Sequence, residues 1–301
     1  MTIFHFDING TIIGVDATDN HSIEEAVLES VCRSIPYNGD TYYNHLKKSF
    51  TDYKKHVKNV LSVYPEHFET CKKLCIVYHK YFFPSFLKVI ENLKEHDKIF
   101  LRTFGQDGQD VIDKLRKLYN LEFCVYHCKY NYGEAKFYYE SNGISTDPRI
   151  IYSVSNTCNK HVLIIDDYQY WNNNNREAKY GKFIPYITDM PHTKTADTDL
   201  NVSIQKQIAF DDNDCMWTDN SDKVKIHKIV TIDAALDEYY YLNFINKSNT
   251  VTNTNDGQVI VDDIINTMNE FEKQNQQIKN NLEIVGKQMQ NSVANLLLRK
   301  M

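Results

Sequence analysis

The stretch Ile3-Phe4-His5-Phe6-Asp7-Ile8-Asn9-Gly10-Thr11 decides how this chain is read. A short apolar run passes abruptly into turn formers, which marks a buried strand ending on a carboxylate. Related patterns return further on. Lys98-Ile99-Phe100-Leu101-Arg102-Thr103 has strand character and closes on Phe104-Gly105, and His161-Val162-Leu163-Ile164-Ile165 runs directly into Asp166-Asp167. Between them the pattern predicts a helix over 109–119 and a strand over 122–127. Strands alternating with helices predict an α/β fold, a Rossmann-like parallel sheet core with helices on its faces. Ligands in such sheets bind at the carboxyl ends of the strands. Asp7, Thr103 and Asp166 all stand at such ends.

Working outward, residues 21–96 carry a helical pattern. Ser22 followed by Glu24 and Glu25 opens a helix with 26–31 on its apolar side. Further helices are expected over 40–62, 66–81 and 84–95. The aromatic cluster Tyr42, Tyr43, Phe50 and Tyr53 reads either as a core stripe or as the lining of a specificity pocket. Beyond residue 190 the signals are sparse: a late strand over 224–232, a helix through Tyr239, Tyr240 and Tyr241, and a polar linker over 246–257. From residue 259 one long helix is expected. Ile264, Phe271, Ile278 and Val285 recur about every seven residues, interleaved with Met268, Leu282, Met289 and Leu296 and interrupted by Asn275 and Ser292. That stripe could pack on its own domain, form a homodimer through 258–301, or rest peripherally on a membrane surface. Four segments follow: a core of 1–20 with 97–190, a helical insert of 21–96, an extension of 191–257, and the long helix of 258–301.

Composition narrows the class. Among 301 residues, 42% are hydrophobic, enough for a sizeable core, and tyrosine is abundant at 21 while glycine and proline are scarce at 10 and 6. A net charge of −6 argues against nucleic acid as a partner, since phosphate neutralisation needs a basic surface. The first residues lack the pattern of a secretory signal. No apolar run approaches the roughly 18 residues of a membrane helix. Seven cysteines form no CxxC pair. Cys71 with Cys75, and Cys124 with Cys128, share a face and could hold a metal or pack as reduced thiols. The thiol reading predicts a cytoplasmic or other reducing compartment. His5, inside the first strand, reads as a packed histidine.

The motifs together resemble the haloacid dehalogenase superfamily of phosphatases. Phe6-Asp7-Ile8-Asn9-Gly10-Thr11 is similar to its first motif, a strand ending in D-x-D-G-T. Residues 99–103 resemble the second, a strand ending in Ser or Thr, and 162–167 the fourth, a strand ending in an acidic pair. The resemblance implies that Asp7 attacks phosphorus and forms an aspartyl-phosphate. It implies Mg²⁺ bound by Asp7, the Asn9 backbone carbonyl and Asp166, with Asp167 in a supporting or alternative place. It implies phosphate held by Thr103 and the amides of Phe104 and Gly105. The family's third motif is a lone lysine, for which Lys136 fits the spacing best and Lys160 is the alternative.

Two departures shape the expected activity. Asn9 replaces the aspartate that protonates the leaving group and then activates water, and a missing general acid costs about 10²–10⁴ in rate. The loss matters least for a good leaving group such as a phenol of pKa ~10. The expected substrate is therefore an aryl phosphate, phosphotyrosine in a protein or peptide, or an acyl phosphate. The insert of 21–96 is the second departure, because in the family an insert there caps the active site and favours small substrates. Two other readings stand beside the hydrolase. One is a catalytically impaired scaffold that associates through its C-terminal helix. The other is a phosphotransferase whose phospho-enzyme accumulates.

Overall fold

Every residue from Ile3 to Asp7 is buried, so the strand Thr2–Asp7 has no solvent face. Such a strand belongs inside a sheet covered on both sides. The computed structural model describes residues 1–15, 21–131, 134–139, 143–145, 151–152, 159–186 and 206–250. In it Thr2–Asp7 pairs in parallel with Lys98–Thr103 on one side and with Lys206–Asp211 on the other. The sheet has eight strands in the order Val224–Lys228, Lys206–Asp211, Thr2–Asp7, Lys98–Thr103, His161–Ile165, Phe123–Asn131, Glu134–Tyr139 and Gly143–Ser145. The first six pair in parallel, and the last two are added at one edge through antiparallel pairings. The protein is mixed α/β with a largely parallel sheet.

Two of these strands lie beyond residue 190, so the sheet extends past the core boundary expected from the sequence. Met1–Ile245 forms one compact unit. The chain builds one side of the Asp7 strand first and crosses to the other only with Lys206–Asp211. The reversal falls between the Asp7 and Asp211 strands, and the crevice outside such a reversal is where open α/β sheets bind ligands. The helix Tyr240–Thr250 runs into the stretch expected to be a linker. The predicted long helix lies outside the described residues. No helix among the described residues is long and apolar enough to cross a membrane.

Strand side chains alternate between the two faces. Phe4, Phe6, Leu101, Leu163 and Phe210 join one buried cluster, and Ile3, Phe100, Val162 and Ile164 join another. The helices Ile23–Ser34, Phe68–His79 and Pro84–Glu91 supply Val27, Val31, Leu74, Phe86 and Val89 to the first cluster. Phe6 sits within it, stacked on Phe210 at 5.0 Å and edge-on to Phe86 and Tyr241 at 5.1 Å each. The insert therefore packs into the same core as the sheet. Its first helix begins at Ser22, whose Oγ accepts from the Glu25 amide while Glu25 Oε2 accepts from the Ser22 amide. The single helix expected over 40–62 is instead Tyr42–Ser49, Tyr53–Lys58 and Val60–Val63. Tyr43 is buried edge-on to Tyr53, so these two aromatic rings pack as a core stripe.

His5 is packed as expected. It lies edge-on to Phe100 at 5.2 Å, and its Nε2 shares a 2.9 Å hydrogen bond with Gln207 Oε1. Burial, with the Arg102 charge nearby, pushes its pKa from 6.5 down to about 3, against the pull of the Gln207 bond. The unfolded chain takes up this proton below about 6.5 and the folded chain only near 3, so stability drains away as pH falls through that window. The slope is about 1.4 kcal/mol per pH unit. His5→Gln should flatten the fall of the urea midpoint between pH 6.5 and 4; an unchanged slope would place its source elsewhere.

Candidate active site

Parallel pairing sets three strand ends side by side. Phe6 is in register with Phe210 and Asp7 with Arg102, so Asp7, Asp211 and Thr103 emerge at the same edge of the sheet. Between Asp7 and Asp211 stands Lys182, only 2% exposed. Its Nζ donates to Asp7 Oδ1 at 2.5 Å and lies 3.8 Å from Asp211 Oδ2. Lys182 belongs to the two-residue strand Lys182–Phe183, which pairs in parallel with Met216–Trp217. Its amide donates to the Cys215 carbonyl at 2.6 Å, and the Cys215 thiol donates to Asp211 Oδ2 at 3.0 Å. The lysine and its acidic partner are thus held by the same short segment.

Asp212 completes the group. Carboxylate oxygens of Asp7, Asp211 and Asp212 lie within 4.8 Å of one another. The loop after the first strand accommodates them because residue 10 is glycine: its φ is +73°, and a Cβ there would come within 2.5 Å of Asp212 Oδ2. Electrostatics record the crowding. Burial pushes the Asp7 carboxyl well above the ordinary range; Lys182 opposes the shift, and Asp211 and Asp212 add to it. Burial and Asp211 push Asp212 up to about 6, with Arg33 and Lys182 pulling back. Burial opposes the charge on Lys182, yet Asp211 and Asp7 outweigh it and hold the ammonium well above its usual range. Three carboxyl groups around one ammonium gather hard oxygen donors in a poorly solvated place. A divalent cation with a taste for hard oxygen ligands fits that donor set.

A cavity of about 340 Å³ opens over the cluster, bordered by Asp7, Asn9, Thr103, Phe104, Gly105 and Lys182 together with Tyr168, Trp171, Asn213 and Cys215. The structure thus brings together five residues singled out in the sequence: Asp7, Asn9, Thr103, Phe104 and Gly105. Thr103 Oγ1 accepts from the Gly105 amide at 2.9 Å and donates to Asp107 Oδ1 at 3.0 Å, which fixes the turn after its strand. Asn9 Oδ1 is buried and has no hydrogen-bond partner. The residues that border this cavity come from outside the insert of 21–96.

The acidic pair and the lysine chosen from sequence lie elsewhere. Asp166 faces Arg102, which grips it with Nη2 to Oδ1 at 2.6 Å and Nε to Oδ2 at 2.9 Å, both side chains fully buried. Asp167 Oδ1 caps the helix Tyr168–Asn173 through the Tyr170 amide, and its Oδ2 accepts from the Tyr130 amide. Both carboxylates are used structurally. Lys136 sits on Glu134–Tyr139, with three strands between it and the Asp7 strand. Lys160 precedes His161–Ile165 and so stands at the amino edge of the sheet, away from Asp7. Cys124 and Cys128 are buried on one strand, and neither they nor Cys71 and Cys75 form a disulfide.

Reading the sequence missed Lys182, Asp211 and Asp212. A signal for the acids was present: Ile208-Ala209-Phe210-Asp211-Asp212 repeats the pattern of an apolar run ending in an acidic pair. Lys182, in a two-residue strand, left none. If Asp166 serves the fold, Asp166→Ala should strand the buried Arg102 charge and cost about 3–5 kcal/mol in urea unfolding. The double variant Arg102→Met, Asp166→Leu should recover much of that. A single variant of wild-type stability would contradict the assignment.

No protein-family model, curated protein or solved structure matches this chain.

Proposed function

We propose that the chain is a Mg²⁺-dependent phosphomonoesterase of the haloacid dehalogenase type, built on a Rossmann-like core, with Asp7 as nucleophile. One observation carries the reading: Asp7, Thr103, Lys182 and Asp211 converge from the carboxyl ends of adjacent strands and the segment beside them. Phosphoryl transfer needs a nucleophile, positive charge against the developing negative oxygens, and donors around them. Asp7 supplies the first and Lys182 part of the second; the Phe104 amide would supply the third, joined by Thr103 and the Gly105 amide once their bonds within the turn are exchanged for phosphate oxygens. Asp211 and Asp212, with Asp7 and the Asn9 carbonyl, would hold the ion in place of Asp166 and Asp167. When bound, Mg²⁺ would offset charge on the phosphoryl oxygens.

In the first step a carboxylate oxygen of Asp7 bonds to phosphorus while the ester P–O bond breaks, and the alcohol departs with the electron pair. Lys182 keeps Asp7 oriented and charge-compensated at that moment. Asn9 stands where a proton donor would be needed, and an amide cannot serve as one. A phenolate can leave unprotonated, which is why aryl phosphates, phosphotyrosine among them, are the preferred substrates. The second step, attack of water on the aspartyl-phosphate, also lacks its usual base. That favours a second reading, in which the phospho-enzyme persists and hands its phosphoryl group to an acceptor or the protein serves as an impaired scaffold.

Hydrolysis of para-nitrophenyl phosphate by the full-length protein should require Mg²⁺ and fall at least about 10³-fold in Asp7→Asn. Asp211→Asn should raise the Mg²⁺ concentration needed, whereas Lys136→Ala and Lys160→Ala should leave the rate within about twofold. Acid-quenched protein carrying stoichiometric phosphate with little turnover would favour the second reading. Neither turnover nor Mg²⁺ binding would remove the hydrolase.

A further inference from the structure

The cavity has a wall that phosphoryl chemistry leaves unused. Besides the acids and Lys182, it is bordered by the rings of Phe104, Tyr168 and Trp171. Phe104 and Trp171 stack at 4.8 Å with their planes 12° apart, and Tyr168 stands edge-on to both at 6.0 and 6.1 Å. These rings do not belong to the buried clusters of the sheet faces. Tyr168 is 46% exposed. The wall is held from outside: Arg176 Nη2 donates to the Tyr168 hydroxyl at 3.1 Å, and its guanidinium lies 5.6 Å from the Trp171 ring. A solvent-facing wall of aromatic rings, braced by a cation and bordering a cavity, is suited to another ring.

Its distance from the acids fixes what kind of ring. Lys182 Nζ touches Asp7 and lies 4.9 Å from the centre of the Phe104 ring. Phe104 also follows Thr103 directly in the chain. A phosphoryl group beside Asp7, Thr103 and Lys182 would therefore bring its ester substituent within reach of the aromatic wall without a long spacer. We infer that Phe104, Tyr168 and Trp171 form a leaving-group subsite for an aromatic ring bonded directly to the ester oxygen, as in a phenol monoester. This rests on the phosphoryl-site reading of Asp7 and Lys182, and it is independent of Asn9, because it concerns binding and not proton transfer.

Calorimetric titration of the full-length protein with Mg²⁺ and non-hydrolysable phosphonates tests the subsite without turnover. Benzylphosphonate should bind about tenfold more tightly than ethylphosphonate. In Tyr168→Leu and in Trp171→Leu that ratio should fall to about one-third or less of its wild-type value, with ethylphosphonate affinity held within about twofold. The exposed position of Tyr168 keeps that variant clear of the core. Equal affinities in wild type, or an unchanged ratio in both variants, would overturn the subsite while sparing the phosphoryl site. Adenosine 5′-monophosphate places its ring a sugar away from phosphorus; if it bound more tightly than benzylphosphonate and lost that advantage in Tyr168→Leu, the phenol-ester assignment would fall. No binding of either phosphonate would overturn the phosphoryl site and the subsite with it.

Discussion

Three carboxylates gathered about one buried ammonium are the constraint on which this structure turns. Charges are costly to remove from water, and like charges close together cost more. Nothing in local sequence preference would assemble such a group. It stands because parallel register fixes the Asp7 and Asp211 strand ends side by side, and because the segment carrying Lys182 is bonded to the segment after Asp211. The fully packed faces beneath, with Phe6 between Phe210, Phe86 and Tyr241, keep those strand ends from relaxing apart. The proposed phosphoryl chemistry would turn that cost to use, since a cluster of hard oxygen donors suits a divalent cation.

A second buried charge group supports the first. Arg102, bound on two sides by Asp166, also donates through Nη1 to the Phe183 carbonyl at 3.1 Å. Phe183 is the residue after Lys182. The ion pair that accounts for Asp166 thus braces the backbone of the lysine across the neighbouring strand. In this way Asp166, which in sequence resembles a metal ligand, holds Arg102 against the segment that carries Lys182.

How much of this was legible follows from where the information sits. The strand at Thr2–Asp7, the turn at Asn9-Gly10 and the strand at Lys98–Thr103 are local patterns, and their meeting in a parallel sheet follows from the alternation of strands with helices. The start of the insert at Ser22 was legible for the same reason, as a capping box is written in adjacent residues. Lys206–Asp211 carried only a faint copy of the same pattern, because a three-residue apolar core between polar neighbours is a weak strand signal until its pairing is known. The choice between Asp166 and Asp211 is a question of which strand lies beside Asp7. Sequence order cannot answer it, since the chain reverses direction across the sheet there. Lys182 was out of reach altogether, its place fixed by a hydrogen bond to Cys215 and not by any periodicity.

The distance along the chain between the parts of the site has its own meaning for synthesis. Lys182 and Asp7 are 175 residues apart in sequence, and the strand that flanks Asp7 on the acidic side comes later still. While the chain is being made, the strand Thr2–Asp7 waits with one edge unpaired, a liability for association with other chains. Contacts of such long sequence separation form slowly. The nascent protein therefore carries Asp7 without its lysine, its neighbouring acids or its edge partner. Assembly of the site and protection of the most aggregation-prone edge become one late event.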